Sequence, residues 1–219
     1  MKKIFIIIVV LGISFPIFAQ DDIGLENSFY FRFGYSQPTN AYFGVDESSF
    51  WDDTKRVGGM FELGSIFMIN SLPIADGLRL GINVDYIDIT FHQFEYTFAD
   101  LFLRTLKISS KVGPSLSYSP VEHLVFDVYF KAKIPWVGGI WVDDTSPLND
   151  DYGFVGYMGF GYSTGFNVRY RALMIGFEYT KDSMKLEDID EVEGYFGNFS
   201  DDGDKTPMSC FNFTLGLSF

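Results

Sequence analysis

The chain has 219 residues, 47% of them hydrophobic and 19% aromatic, with 16 basic against 29 acidic side chains and a net charge of −13. A balance this acidic excludes a nucleic-acid partner, whose phosphates need a basic face, and 25 Phe with 13 Tyr exclude a disordered chain. One cysteine, Cys210, and two histidines, His92 and His123, exclude a disulfide framework, a CxxC centre and a multi-histidine metal site.

Residues 1–20 read as a secretory signal: Lys2 and Lys3 start it, an apolar run follows from Ile4 to Ile13, and Pro16 and Ala19 close it. The run is too short for the roughly 20 residues that cross a bilayer as a helix. Residues 21–219 then form a single domain in which no apolar stretch is long enough for a helical span. Apolar residues come instead at every second position, the period of a strand.

Eight segments alternate in this way. Ser28–Ser36 sets Phe29, Phe31, Phe33 and Tyr35 against Tyr30, Arg32 and Gly34. Gly59–Ile69 sets Phe61, Leu63, Phe67 and Ile69 against Glu62 and Gly64. Leu78–Thr90 opposes Leu80, Ile82, Val84 and Tyr86 to Arg79, Gly81, Asn83 and Asp85. Arg104–Tyr118 opposes Leu106, Ile108, Val112 and Leu116 to Lys107, Ser109, Lys111 and Ser115. Leu124–Trp136 opposes Phe126, Val128 and Phe130 to Asp127, Tyr129, Lys131 and Lys133. Phe154–Tyr170, Leu173–Lys185 and Met208–Phe219 complete the set, with Gly159, Gly161, Gly165 and Arg169 on the polar row of the sixth and Glu178 on that of the seventh. The connections Asn70–Gly77, Ser119–His123 and Arg169–Ala172 are short, whereas 37–58, 91–103, 137–153 and 186–207 are long. Short turns at one end and long loops at the other predict an all-β fold: an eight-stranded antiparallel up-and-down transmembrane β-barrel, with short periplasmic turns and long extracellular loops.

Volume decides which row faces inward. Eight strands enclose a space only just wide enough to be filled by side chains. Phe, Leu, Ile and Tyr are too bulky to fill it from every strand, so they face lipid, and the Gly, Ser, Asn, Thr and charged row fills the middle. The predicted interior charge network comprises Arg32, Glu62, Arg79, Asp85 and Lys107, together with Lys111, Asp127, Lys131 and Glu178. Lys133 and Arg169 share the same row. Buried charges persist only when paired, and Asp127 is expected to pair with a base among Lys107, Lys111 and Lys131. Tyr35, Tyr86, Tyr118, Trp136, Tyr162 and Tyr179 fall towards ends of the apolar rows, where a bilayer favours aromatics.

The last strand, Phe211-Asn212-Phe213-Thr214-Leu215-Gly216-Leu217-Ser218-Phe219, alternates and ends in an aromatic residue. With the signal, the eight strands and the Ser119-Pro120-Val121-Glu122-His123 turn, the chain resembles the small OmpA/OmpX-type bacterial outer-membrane β-barrel proteins. The resemblance implies residence in the outer membrane and insertion by the barrel-assembly machinery, with Phe211, Phe213, Leu215, Leu217 and Phe219 as the C-terminal assembly signal. It implies no activity, since function resides in sites rather than in folds.

Candidate chemistry is sparse. Asp88, Thr90 and His92 share a face at the outer end of the third strand, but Thr is a poor nucleophile without an activating arrangement, and a polar strand end leaving the bilayer accounts for them. Asp201-Asp202-Gly203-Asp204 offers oxygen ligands around a turn, yet its spacing departs from the 12-residue Ca²⁺ loop. No catalytic residue, metal site or cofactor is predicted. The sequence therefore points to a monomeric, non-enzymatic outer-membrane barrel with a plugged lumen. Its partners are outer-membrane lipids, the barrel-assembly machinery and an extracellular partner of its acidic loops. A rim-located lipid-modifying enzyme and a narrow channel or small-ligand-binding barrel are the alternatives.

Overall fold

A computed structural model describes residues 25–39, 54–96, 101–144, 154–156, 159–185 and 205–219. The signal segment 1–20 and most of the long connections, including the acidic run 186–204, lie outside these residues. The described chain forms nine strand segments: β1 (Ser28–Pro38), β2 (Thr54–Ala75), β3 (Leu78–Tyr96), β4 (Leu101–Val121), β5 (Leu124–Asp144), β6 (Phe154–Gly156), β7 (Gly161–Tyr170), β8 (Leu173–Lys185) and β9 (Lys205–Ser218). β5 pairs with both β6 and β7, so these two make one interrupted stave and the barrel has eight. β1 pairs with β9 from Tyr30↔Ser218 to Pro38↔Cys210, closing the sheet. Phe29 and Phe219 exchange backbone hydrogen bonds of 2.9 and 2.8 Å at the end of that seam. Every ladder is antiparallel. No helix among the described residues is long and apolar enough to cross a membrane.

At one end the staves join through two-residue turns at Asp76-Gly77, Glu122-His123 and Arg171-Ala172, where Gly77, His123 and Arg171 take φ of 71°, 65° and 52°. Left-handed backbone of this kind matches the right-handed twist of the flanking strands. At the other end the strands run further than the alternation predicts: β3 and β4 pair as far as Tyr96↔Leu101, so most of the predicted loop 91–103 is strand.

The facing of the rows is unambiguous. Phe29, Phe126 and Phe213 are 43%, 41% and 55% exposed, whereas Lys107 is 3% exposed and Asp127 is fully buried. Aromatic rings run over the outer surface of β7, β8 and β9, where Phe177 lies 5.0 Å from Phe213 and 5.5 Å from Phe211 between centroids. An apolar exterior around an ionic interior inverts the arrangement of a water-soluble barrel, and it is stable only where lipid replaces water outside.

Several register shifts interrupt the ladders, and two of them re-aim side chains in mid-strand. Between Asp85↔Lys111 and Asp88↔Ser109, β3 contributes Tyr86 and Ile87 against Ser110 alone, and Ser110 Oγ donates to the Tyr86 carbonyl at 2.7 Å. The extra residue resets the parity, so Asp85 and Asp88 both point inward. Tyr86 faces outward at this bulge, midway along β3 rather than at a strand end. A second bulge places Trp136 outward between Val137↔Ile108 and Pro135↔Ser109.

Candidate functional site

Among the described residues, chemistry-bearing side chains converge in the interior of the barrel, which divides into tiers. The lowest holds Arg169, whose Nε and Nη2 donate to Asp127 at 2.7 and 2.9 Å, with Ser117 Oγ donating to the same carboxylate at 2.6 Å. Asp127 therefore pairs with Arg169 of the adjoining stave rather than with a lysine. The three lysines lie nearer the outer end, and the Asp127↔Asn167 register brings Arg169 alongside instead. Asp127→Ala is expected to cost about 2–3 kcal/mol, because it strands a guanidinium that is nearly out of reach of water. Urea unfolding in detergent micelles checks this; an unchanged midpoint would exclude the pairing.

Above that tier, Tyr30, Ile66, Met68 and Met174 form a small apolar cluster inside the lumen. The central tier holds the most charge. Arg32 reaches four staves: it is ion-paired with Glu62 and donates to Glu178 (2.9 Å), Tyr129 Oη (3.1 Å) and Asn167 Oδ1 (2.8 Å). Lys111 Nζ lies 2.5 Å from Glu178 and 3.3 Å from Asp88, and is paired with Glu62 as well. Lys131 Nζ meets Asp85 at 2.5 Å and Glu178 at 3.1 Å. The Tyr30 phenol closes on Asp85. Room for the two phenols comes from glycine on the facing stave: a Cβ on Gly64 would fall 2.7 Å from the Tyr30 ring, and one on Gly165 would fall 2.7 Å from Tyr129 Oη.

The upper tier joins Lys107 to Asp182 (2.7 Å), Lys133 to Asp182 (3.3 Å) and Lys133 to Asp88 (3.0 Å). Arg79 belongs to none of these tiers. It is the second residue of β3, beside the Asp76-Gly77 turn, and its guanidinium donates to the Ala75 and Leu78 carbonyls at 3.2 and 3.1 Å. Without Arg79, and with Asp88 and Asp182 added, the buried ions among the described residues are six bases (Arg32, Lys107, Lys111, Lys131, Lys133, Arg169) and six acids (Glu62, Asp85, Asp88, Asp127, Glu178, Asp182). The lumen is electrically balanced, which is the condition for keeping so many ions out of water.

Three carboxylates, Glu62, Asp85 and Glu178, bring oxygens within 4.8 Å of one another, as a cation site does. Arg32, Lys111 and Lys131 already occupy them, three positive charges on three negative, so the cluster is an ion-pair core. Asp201–Asp204 lies outside the described residues.

Asp88 of the upper tier and, beyond it, Thr90 and His92 are all buried in the lumen, not at a solvated strand end. Asp88 is held by Ser109 (2.7 Å) and the lysines. The hydroxyl against His92 comes from Ser36 of β1, with Oγ and Nε2 2.7 Å apart. Ser36 also meets Asn212 Oδ1 at 2.6 Å. These contacts span β1, β3 and β9; Ser36 lies on the inward parity of Arg32, meets His92 across Gly58 of β2, which has no side chain to separate them, and meets Asn212 across the seam. His123, at its turn, lies 3.4 Å from Glu122.

The chain is an outer-membrane-type β-barrel. Ail, the attachment invasion locus protein of Yersinia pestis, solved with the heparin analogue sucrose octasulfate, matches 89% of this chain and 99% of its own at 14% identity and a TM-score of 0.47. The Escherichia coli outer membrane protease OmpT matches at 12% identity and 0.44 over 88% of this chain and 95% of that one. Neisserial surface protein A matches at 10% and 0.39 over the same shares. No family model and no curated protein matches the chain. Placement in the outer membrane follows from the build itself: a closed antiparallel barrel, apolar outside and ionic inside, with two-residue turns at one end.

Proposed function

We propose that this protein is a non-conducting, non-enzymatic scaffold of the outer membrane, a monomeric plugged barrel that holds acidic loops at the cell surface for contact with an extracellular partner. The supporting observation is the lumen itself, in which Arg32, Tyr30, Tyr129, Lys111, Lys131 and Met174 are fully buried across the bore and tied to one another. A pore needs a continuous file of water, and paired ions with large side chains leave none. On this reading residues 1–20 export the chain, and outward-facing Phe211, Phe213, Leu215 and Phe219 with Leu217 present the assembly signal to the barrel-assembly machinery. Acids such as Glu187, Asp190, Glu193 and Asp201 supply the surface charge. The test is electrical. Refolded protein in planar lipid bilayers is expected to show no discrete current steps, and reproducible unitary openings would exclude the scaffold.

A second reading, lipid-modifying chemistry, draws on one contact, the 2.7 Å approach of Ser36 to His92. Its test is the lipid A and phospholipid profile of cells carrying His92→Ala, which the scaffold reading expects to match that of the parent.

A further inference from the structure

A line of hydrogen bonds leaves the central ion cluster and climbs to the outer end of the lumen, and its direction can be worked out link by link. It starts at Glu178, an anion held by Lys111 Nζ at 2.5 Å, Arg32 Nη2 at 2.9 Å and Lys131 Nζ at 3.1 Å. A carboxylate only accepts. Thr180 Oγ1 lies 3.2 Å from Glu178 Oε1, so the single hydroxyl proton of Thr180 goes to that oxygen, the strongest acceptor in reach. Thr180 Oγ1 is then left to accept, and Asn212 turns its Nδ2 towards it at 3.3 Å. The other end of the amide, Oδ1, consequently faces Ser36 Oγ at 2.6 Å. An amide oxygen also only accepts, so the Ser36 proton points at Asn212. The Ser36 oxygen is thereby left to accept from His92 Nε2, 2.7 Å away.

We infer that His92 carries a proton on Nε2 and donates into a one-way relay through Ser36, Asn212 and Thr180 to Glu178, so that the charge at the centre of the lumen is communicated towards its outer end. Ser36 is a link in this relay and not a nucleophile. Nucleophilic activation needs the opposite polarity, with a bare imidazole nitrogen taking the serine proton. The surroundings hold the geometry. A Cβ on Gly58 would fall 2.3 Å from His92 Cδ2, so the imidazole packs directly on the β2 backbone, and Phe94 meets it edge-on at 6.4 Å. The Cys210 thiol beside Ser36 is a weak partner and does not displace the amide oxygen. All five members of the relay are buried, so water does not compete for their protons. A relay ending on an anion is polarised along its length, each bond strengthening the next. The inference is independent of conduction: a barrel that proved to be a channel would still have to place this proton.

The test uses the full chain, refolded in detergent micelles with ¹⁵N-histidine and His123→Gln, which leaves one imidazole. Long-range ¹⁵N–¹H correlation is expected to show Nε2 protonated; a bare Nε2 overturns the inference. Glu178→Gln is expected to displace the Nε2–H resonance, and the displacement should vanish when Ser36→Ala cuts the relay. A displacement of equal size in both backgrounds overturns the coupling. Should Glu178→Gln not fold, Thr180→Val breaks the same link, and an unmoved Nε2–H resonance in that variant counts against the relay. A fluorophosphonate probe is expected to leave Ser36 unlabelled, and stoichiometric labelling there would also overturn the assignment.

Discussion

Lys111→Met is expected to destabilise the barrel by about 3–5 kcal/mol, measured by urea unfolding in detergent micelles. The ammonium of Lys111 lies among carboxylates from three staves: Glu62 of β2, Asp85 and Asp88 of β3, and Glu178 of β8. Methionine fills much of the same volume but leaves the lumen with six acids and five bases, so four carboxylates face one another across a dry space with less positive charge to separate them. The interior balance makes a second, sharper expectation. Adding Glu62→Gln to Lys111→Met removes the excess negative charge, and the double variant should recover a substantial part of the loss. Effects that simply add would show that these residues do not interact and would remove the argument from neutrality.

Arg32→Met belongs in the same range, about 3–5 kcal/mol. Its guanidinium bonds to β2, β5, β7 and β8 together, through Glu62, Tyr129, Asn167 and Glu178. Arg32→Lys separates charge from shape. Lysine keeps the balance of six and six but has one compact donor head, which cannot span four staves. It is expected to remain about 1–3 kcal/mol below the parent, because Tyr129 and Asn167 lose a donor in a place water does not reach. Equal stability of Arg32→Lys and the parent would show that net charge alone governs the lumen.

Most of this interior was legible from a period of two. Phe29, Phe126 and Phe213 face lipid, and Arg32, Glu62, Asp85, Lys107, Lys111, Asp127, Lys131 and Glu178 face inward, because a pleated strand must alternate and a narrow bore cannot hold a ring of phenylalanines. What the period could not carry was any change of parity. Asp88 shares the lumen with Asp85 only because Tyr86 and Ile87 face one residue of β4. Asp182 needs no such change, since it continues the row of Glu178 and Thr180 within the segment Leu173–Lys185. Arg79 has the right parity but sits one residue past a turn, where backbone carbonyls are its nearest acceptors. Ile66 and Met174, apolar residues on a polar row, fill the bore beside Tyr30.

Facing, strand number and the need for closure were thus set by the amino-acid sequence alone, since backbone groups in hydrocarbon must find partners and each strand carries its own lipid side. The partners were not. Arg169 with Asp127, Arg32 with four staves, and Ser36 with His92 are contacts between residues 30 to 146 positions apart. They depend on register, on the bulges and on the seam between β1 and β9. Those features arise from the packing of side chains around the whole circumference, which local alternation does not encode.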